Sequence, residues 1–205
     1  MGNGRREAIY ILRFTFHPKN NSLNRSTKNM SFLNIEIKAR CKNLDSIRHI
    51  LNQSNAVLKG VDHQIDTYFD CRNGRLKLRE GNIEHHLIHY DREDKAGPKR
   101  SLVTLFRPQP DSALKDILAK SLGILVVVDK KREIYFIDNI KFHIDTVIGL
   151  GSFVEIEAID NSGDIGQEKL QQQCEDNIKL LGIQPDDLIE FSYSDMLLQL
   201  KGKNL

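Results

Sequence analysis

Charged side chains occupy every second position in several stretches of this chain. Arg75, Lys77 and Arg79 alternate with leucines, and Glu155 and Glu157 alternate with apolar residues. The same spacing recurs in three further sets: Glu36, Lys38 and Arg40; Lys130 and Arg132; and Lys141, His143 and Asp145. Side chains two residues apart on a β-strand point to the same side, so each stretch would present one charged face and one apolar face.

If the charged faces turn toward a common axis, they would form a binding site for a polyphosphate and a divalent metal. Buried unpaired charges are costly, so a closed barrel that contains them requires a ligand. Arginine and lysine make charge-assisted hydrogen bonds to phosphate oxygens. Carboxylates would repel phosphate unless a hard cation such as Mg²⁺ lies between them.

A simpler alternative is the solvated face of an ordinary antiparallel sheet, on which charged residues pair across strands. Patterning alone favours this alternative. His85, His86 and His89 divide between two strand faces, so we do not expect a zinc site there. Asp62 and Asp66 share one face and are interpreted as structural or rim residues.

The elements that must position these side chains are mostly strands. Period-two patterning and turn residues such as Asn73-Gly74 predict strands near 32–40, 61–71, 74–80, 84–92, 99–107, 124–137, 140–148 and 152–160. Helical spacing predicts helices at 44–57, 111–122, 164–181 and 193–200. Short connections favour antiparallel neighbours, and eight strands can close into a barrel. We therefore predict an α+β fold, an eight-stranded antiparallel closed β-barrel with flanking helices.

Composition limits the classes of function and compartment. Residues 1–30 are polar, with six Lys/Arg and one acid, and are predicted to be a disordered or weakly structured leader to a domain at 31–205. The rest of the chain is mildly acidic, so we expect no nucleic-acid partner. No apolar run approaches the ~20 residues of a membrane span, so we expect no membrane partner. Three widely spaced cysteines favour a reducing cytoplasm over a disulfide framework.

Eight short fragments, taken in order, resemble one known family, the CYTH superfamily of triphosphate tunnel metalloenzymes. It includes class IV (CyaB-type) adenylyl cyclases and thiamine triphosphatases, and these fragments look most like the cyclase-type branch. The fragments are residues 34–40 (NIEIKAR), 64–69 (QIDTYF), 74–80 (GRLKLRE), 87–92 (LIHYDR), 97–99 (GPK), 128–135 (VDKKREIY), 143–145 (HID) and 149–157 (GLGSFVEIE).

The resemblance implies an open eight-stranded tunnel that binds Mg²⁺ or Mn²⁺ together with a triphosphate. It assigns metal binding to Glu36, Glu155, Glu157 and Asp145, and catalysis to Glu36, Lys38 and Asp145. The residues that it implies for holding the substrate are Lys38, Lys77, Arg79, Arg92, Lys130 and Arg132, followed by Arg40, Arg75, Lys99 and Lys141.

The activity implied first is conversion of ATP to cyclic AMP and pyrophosphate. The alternatives are a phosphohydrolase of the thiamine triphosphatase or inorganic tripolyphosphatase type, and a non-catalytic triphosphate-binding module. A homodimer is left open. One departure stands out: Asn34 occupies the first acidic position of the family's Glu-x-Glu-x-Lys signature, which leaves open whether one or two metals bind.

Overall fold

The computed structural model describes residues 30–92, 94–109 and 112–202, and its core is a closed antiparallel β-barrel. The strands are β1 (Met30–Arg40), β2 (Val57–Phe69), β3 (Arg75–Glu80), β4 (His86–Arg92), β5 (Lys99–Phe106), β6 (Ile124–Ile137), β7 (Ile140–Val147) and β8 (Gly151–Asp160). Around the barrel they follow the order β1-β5-β4-β3-β2-β6-β7-β8, and β8 pairs with β1. The predicted eight-stranded barrel is confirmed.

Four helices flank the barrel: α1 (Leu44–Gln53), α2 (Leu114–Leu122), α3 (Gln167–Leu180) and α4 (Tyr193–Gly202). The Asn43 side chain starts α1 by accepting a hydrogen bond from the Ser46 backbone N–H at 3.1 Å. The predicted extension of this helix to residue 57 is wrong. Asn55 adopts a positive φ of 58°, and Val57 already belongs to β2. None of the described helices is long and apolar enough to cross a lipid bilayer.

The apolar faces of β1, β7 and β8 point outward and pack against α1 and α3. Ile37, Phe142 and Ile156 are almost completely buried there, together with Leu51 of α1 and Leu170 of α3. Because helices cover the outside of this part of the barrel, the charged faces of the same strands turn into the lumen. Lys130 and Arg132 are only 1% and 2% exposed, so the simpler alternative of a solvated charged face is excluded for these residues.

The segment that leads into α4 is fixed to the barrel by backbone contacts. The Ile189 N–H donates to the Lys38 carbonyl at 2.8 Å, and Lys99 Nζ donates to the carbonyls of Ile189 and Glu190 at 3.0 and 2.8 Å. Tyr193 then packs in one apolar cluster with lumen-facing side chains, so α4 covers part of the barrel interior. The predicted leader precedes β1 and, apart from Met30, lies outside the described residues; it stays a prediction.

Candidate active site

The barrel encloses a cavity of about 160 Å³ whose wall is densely charged. Among the described residues, seven basic and five acidic side chains line it. The cations are Lys38, Lys77, Arg79, Arg92, Lys130, Arg132 and Lys141. The carboxylates are Glu36, Asp66, Glu84, Glu155 and Glu157. Every strand except β4 and β5 supplies at least one residue of the two groups described next, since alternation turns one side chain in two inward.

The first group, called the Asp66 cluster, consists of one carboxylate held by three cations. Arg79 Nε donates to Asp66 Oδ1 at 2.8 Å, while Lys77 Nζ and Lys130 Nζ donate to Oδ2 at 3.0 and 2.7 Å. Burial alone would raise the pKa of Asp66, but the charges of Arg79, Lys130 and Lys77 hold it well below its ordinary value. Asp66 is therefore an ionised counter-ion inside an otherwise cationic region.

The second group, called the Glu155 cluster, consists of Glu155, Glu157 and His143 with two cations. His143 Nδ1 lies 3.1 Å from Glu155 Oε2 and 3.6 Å from Glu157 Oε1. Arg132 donates to Glu155 Oε2 at 2.6 Å, and Lys38 forms an ion pair with Glu155 Oε1. Here two carboxylates and an imidazole converge, so the group has several potential metal ligands.

Burial sets the protonation of the side chains around Glu155. Desolvation lowers the pKa of His143 well below its ordinary value, and the charges of Arg132 and Lys141 lower it further. The imidazole is therefore neutral near pH 7. Desolvation also lowers the pKa of Lys38, against the opposing effect of Asp145. A neutral imidazole can either donate a hydrogen bond through Nδ1 or use that nitrogen as a metal ligand.

These residues fit a divalent cation. One ligand atom from each of His143, Glu155 and Glu157 lies within 4.8 Å of the others. Carboxylate oxygens suit Mg²⁺ and Mn²⁺, and an imidazole nitrogen suits transition metals. Glu36 is the cross-strand neighbour of Glu157 and accepts from Arg92 at 3.1 Å. The donor set is therefore compatible with the Mg²⁺ or Mn²⁺ expected from the sequence.

Ten of the residues implied by the resemblance line the cavity, and four do not. Asp145 is completely buried and does not line the cavity; it accepts from Arg132 Nε at 2.7 Å and from the Tyr193 hydroxyl at 2.8 Å. Lys99 is bound to the backbone before α4. Arg75 pairs with Asp94 and Asp195, and the exposed Arg40 lies over the Phe153 ring at 5.4 Å. The structure therefore places these four side chains around the cavity instead of on its surface.

Sequence reasoning missed three charged or titratable residues of the site. Asp66 was interpreted as structural or rim, and it lines the cavity at the centre of three cations. Glu84 bridges Arg79, at 2.7 Å, and Lys141. The alternation on β7 did place His143 on the charged face, but its position opposite Glu155 depends on the pairing of β7 with β8. That register was the signal that could have identified it.

The chain that forms this charged, closed barrel is similar to known proteins. The family model for the CYTH domain matches residues 33–193. The chain therefore belongs to the CYTH family. A protein of Methanocaldococcus jannaschii, named provisionally as an adenylate cyclase, is 32% identical over 181 residues, which cover 80% of this chain and 98% of that protein.

Solved structures share the fold at lower sequence identity. The PH1012 protein of Pyrococcus horikoshii has a TM-score of 0.63 and 23% identity, covering 79% of this chain and 98% of its own. A protein of Vibrio parahaemolyticus, also named provisionally as an adenylate cyclase, has a TM-score of 0.65 and 19% identity, covering 80% and 97%. A Hippeastrum protein described as having a dominant triphosphatase activity has a TM-score of 0.52 and 15% identity, covering 82% and 96%.

Proposed function

We propose that this protein is a divalent-metal-dependent enzyme that converts ATP to cyclic AMP and pyrophosphate inside the barrel. The observation that carries the proposal is that a cationic group and a group of potential metal ligands meet in one cavity. Lys77, Arg79 and Lys130 surround Asp66, and ligand atoms of His143, Glu155 and Glu157 lie within 4.8 Å of one another. Basic side chains bind phosphate oxygens and carboxylates bind hard divalent cations, so the two groups together suit a complex of a divalent metal with a nucleoside triphosphate.

The Asp66 cluster is the main phosphate-binding site in this proposal. Lys77, Arg79 and Lys130 already hold one carboxylate, and ionised phosphate oxygens accept the same charge-assisted hydrogen bonds. Three cations around a single acid have unused hydrogen-bonding capacity. A phosphate group placed beside Asp66 would therefore gain more from these cations than the carboxylate alone can.

Glu155 and Glu157, with His143 beside them and Glu36 across the strand pair, would hold Mg²⁺ or Mn²⁺. The metal, when bound, would neutralise charge on the phosphate oxygens and on the departing pyrophosphate. Arg132 would contribute to the same neutralisation from the protein. Its guanidinium is fixed by Asp145, which is fixed in turn by the Tyr193 hydroxyl. We therefore assign Asp145 an orienting role through Arg132.

In the reaction, the ribose 3′-oxygen forms a bond to the α-phosphorus while the bond from that phosphorus to the β-phosphate bridging oxygen breaks. Pyrophosphate leaves and the hydroxyl proton passes to solvent or to a neighbouring base. Lys38 lies between Glu155 and the Tyr193 ring, 3.6 Å from the ring centroid, where its position is closely defined. Positioning and charge stabilisation supply most of the rate enhancement in phosphoryl transfer of this type.

The test is incubation of the purified protein with ATP or with tripolyphosphate in the presence of Mn²⁺, with products resolved by chromatography. We expect cyclic AMP and pyrophosphate from ATP, and loss of both on chelation. Glu157→Gln should abolish turnover. Glu168→Gln, a matched change on the exposed surface of α3, should not. Undiminished turnover after exhaustive metal removal would contradict the proposal.

Hydrolysis of a triphosphate in the same cavity is the second candidate. It is supported by the dominant triphosphatase activity attributed to the Hippeastrum neighbour, which shares the barrel fold. In that case water would attack the terminal phosphorus, and orthophosphate would be the product from either substrate. Absence of any product, with binding retained, would instead support the alternative of a non-catalytic triphosphate-binding module.

A further inference from the structure

Three polar atoms on the cavity wall have no hydrogen-bond partner among the described residues. They are Asn34 Oδ1 on β1, Ser101 Oγ on β5 and Arg92 Nε on β4. All three side chains line the cavity, and their residues are only 3%, 1% and 9% exposed. Buried polar groups are almost always paired, so unpaired atoms in one place require an explanation.

The three residues are immediate neighbours on adjacent strands. Asn34 lies opposite Ser101 in the β1–β5 pairing, and Ser101 lies opposite Arg92 in the β4–β5 pairing. Side chains in such positions have Cβ atoms about 5 Å apart. We call this row the polar strip. The other guanidinium nitrogens of Arg92 are bound to Glu36 and Asp94, which fixes the side chain and leaves Nε to the strip.

The chemistry of the polar strip differs from that of the two charge clusters. Asn34 Oδ1 can only accept a hydrogen bond, Arg92 Nε can only donate one, and the Ser101 hydroxyl can do either. An ionised phosphate accepts hydrogen bonds and offers no donor to Asn34 Oδ1. The strip instead matches a neutral group that both donates and accepts, such as a hydroxyl, an amide or the edge of an aminated ring.

An apolar wall continues from the strip along the same strands. Tyr90 is two residues before Arg92 on β4, and Val103 is two residues after Ser101 on β5, so these side chains lie on the same inner face. Ile88 and Leu105 extend that wall. This wall adjoins the Asp66 cluster, because Lys77 Nζ lies 5.6 Å from the centroid of the Tyr90 ring.

From this juxtaposition we propose that the polar strip and its apolar wall are the subsite for the organic part of the substrate. Asn34, Ser101 and Arg92 therefore recognise the organic part of the triphosphate ester, and inorganic tripolyphosphate lacks the group that this subsite binds. The inference rests on the proposed function, in that the phosphates of the same molecule occupy the charge clusters. It gives Asn34 a role in recognising the neutral part of the ligand.

The test compares binding of a triphosphate ester and of tripolyphosphate to wild type and Ser101→Ala by calorimetry without divalent metal. The esters are α,β-methylene-ATP and thiamine triphosphate. Ser101→Ala should weaken binding of at least one ester about 3–10-fold, the effect of one hydrogen bond, and change tripolyphosphate binding less than twofold. Without ligand, the variant should melt at or above the wild-type temperature, because an unpaired buried hydroxyl is removed.

Thr67→Val is the matched control. Thr67 Oγ1 is also buried and unpaired among the described residues, but Thr67 does not line the cavity. Its replacement should leave the affinity for all three ligands unchanged. A second line of evidence uses wild type alone. If the polar strip recognises the organic group, the 2′-deoxy and 3′-deoxy forms of ATP should bind with an affinity different from that of ATP. The affinity for thiamine triphosphate should differ from that for ATP as well.

The outcomes separate the two proposals. The subsite is overturned if wild type does not distinguish the deoxy forms and Ser101→Ala gives either of two results. These are an equal loss of affinity for esters and tripolyphosphate, or no loss of affinity for either ester. Triphosphate binding stands in both cases. If wild type binds neither esters nor tripolyphosphate, the proposed function itself fails and the subsite fails with it. A selective loss of ester affinity in Ser101→Ala supports the subsite.

Discussion

The Asp66 cluster and the Glu155 cluster share one lumen but differ in the balance of their charges. In the first, one carboxylate is surrounded by three cations. In the second, two carboxylates and a neutral imidazole meet two cations. Strands with the same alternating pattern build both clusters. The ratio of cations to carboxylates in each region is therefore decided by which strands are neighbours, and the comparison explains how one barrel could hold phosphate and metal side by side.

Among the tests of this difference between the two clusters, Asp66→Asn is expected to have the largest effect. The change leaves Lys77 and Lys130 buried without their counter-ion and leaves Arg79 with Glu84 alone, which should lower the free energy of unfolding by about 3 kcal/mol. Urea denaturation measures it. Asp129→Asn is the matched control on the barrel exterior, where Asp129 pairs with exposed His63, and should cost less than about 1 kcal/mol. Equal losses in the two variants would show that Asp66 is not an essential counter-ion.

A triphosphate should stabilise the folded protein by binding the basic side chains around Asp66. At a concentration 100 times the dissociation constant, tripolyphosphate should raise the free energy of unfolding by about 2.7 kcal/mol. Thermal denaturation with increasing ligand measures the effect, and AMP at the same concentration is the control. A shift that is absent for tripolyphosphate, or as large for AMP as for ATP, would contradict phosphate binding by the Asp66 cluster.

Glu157→Gln tests whether the carboxylates of the Glu155 cluster bind the metal. Loss of one carboxylate should weaken Mn²⁺ binding about 10-fold or more, as seen by electron paramagnetic resonance of the free ion. The melting temperature of the metal-free protein should stay near or above the wild-type value, because repulsion between Glu155 and Glu157 is relieved. The control is Glu168→Gln on α3. Unchanged Mn²⁺ affinity in Glu157→Gln would remove this residue from the metal site.

The smallest effect concerns Lys99, which belongs to neither cluster. Burial, and then the charge of Arg92, lower the pKa of Lys99 to about 8. The ordinary value is ~10.4, so between the two values the unfolded chain binds more protons and stability rises with pH. We expect a gain of about 1 kcal/mol between pH 8 and 9 that Lys99→Met lacks.

Urea denaturation at both pH values measures this gain. Lys169→Met on the exposed surface of α3 is the control and should retain the wild-type rise. If Lys99→Met retained it as well, the ammonium group that holds the carbonyls before α4 would not be the source of the pH dependence.

Alternation along single strands predicted much of this molecule, because a period of two is a local property. It identified eight strands and, for five of them, the face that carries charge. It could not separate His143 from Asp145, since both lie on the same face of β7. Only the pairing with the next strand does so: His143 lies opposite Glu155, whereas Asp145 lies opposite Phe153 on one side and Arg132 on the other.

The roles of residues outside the regular alternation were harder still to predict from the sequence. Glu84 precedes β4 in a connecting segment, and its bridge between Arg79 and Lys141 depends on how that segment folds back over the barrel. Lys99 lies at the start of β5, where its partners are backbone carbonyls contributed by the chain some ninety residues later. Such long-range contacts leave no periodic trace in the sequence.

Closure of the barrel through β1 also has a consequence for the time course of folding. Among the described strands β1 is synthesised first, yet its partners are β5 and β8, and β8 is made last. Pairing across such sequence separations is slow. The Asp66 cluster, built from β2, β3 and β6, can assemble before β8 is made, whereas the Glu155 cluster cannot. During synthesis the edge of β1 that pairs with β8 therefore stays unpaired longest, and this interval is the one in which a chaperone would matter most.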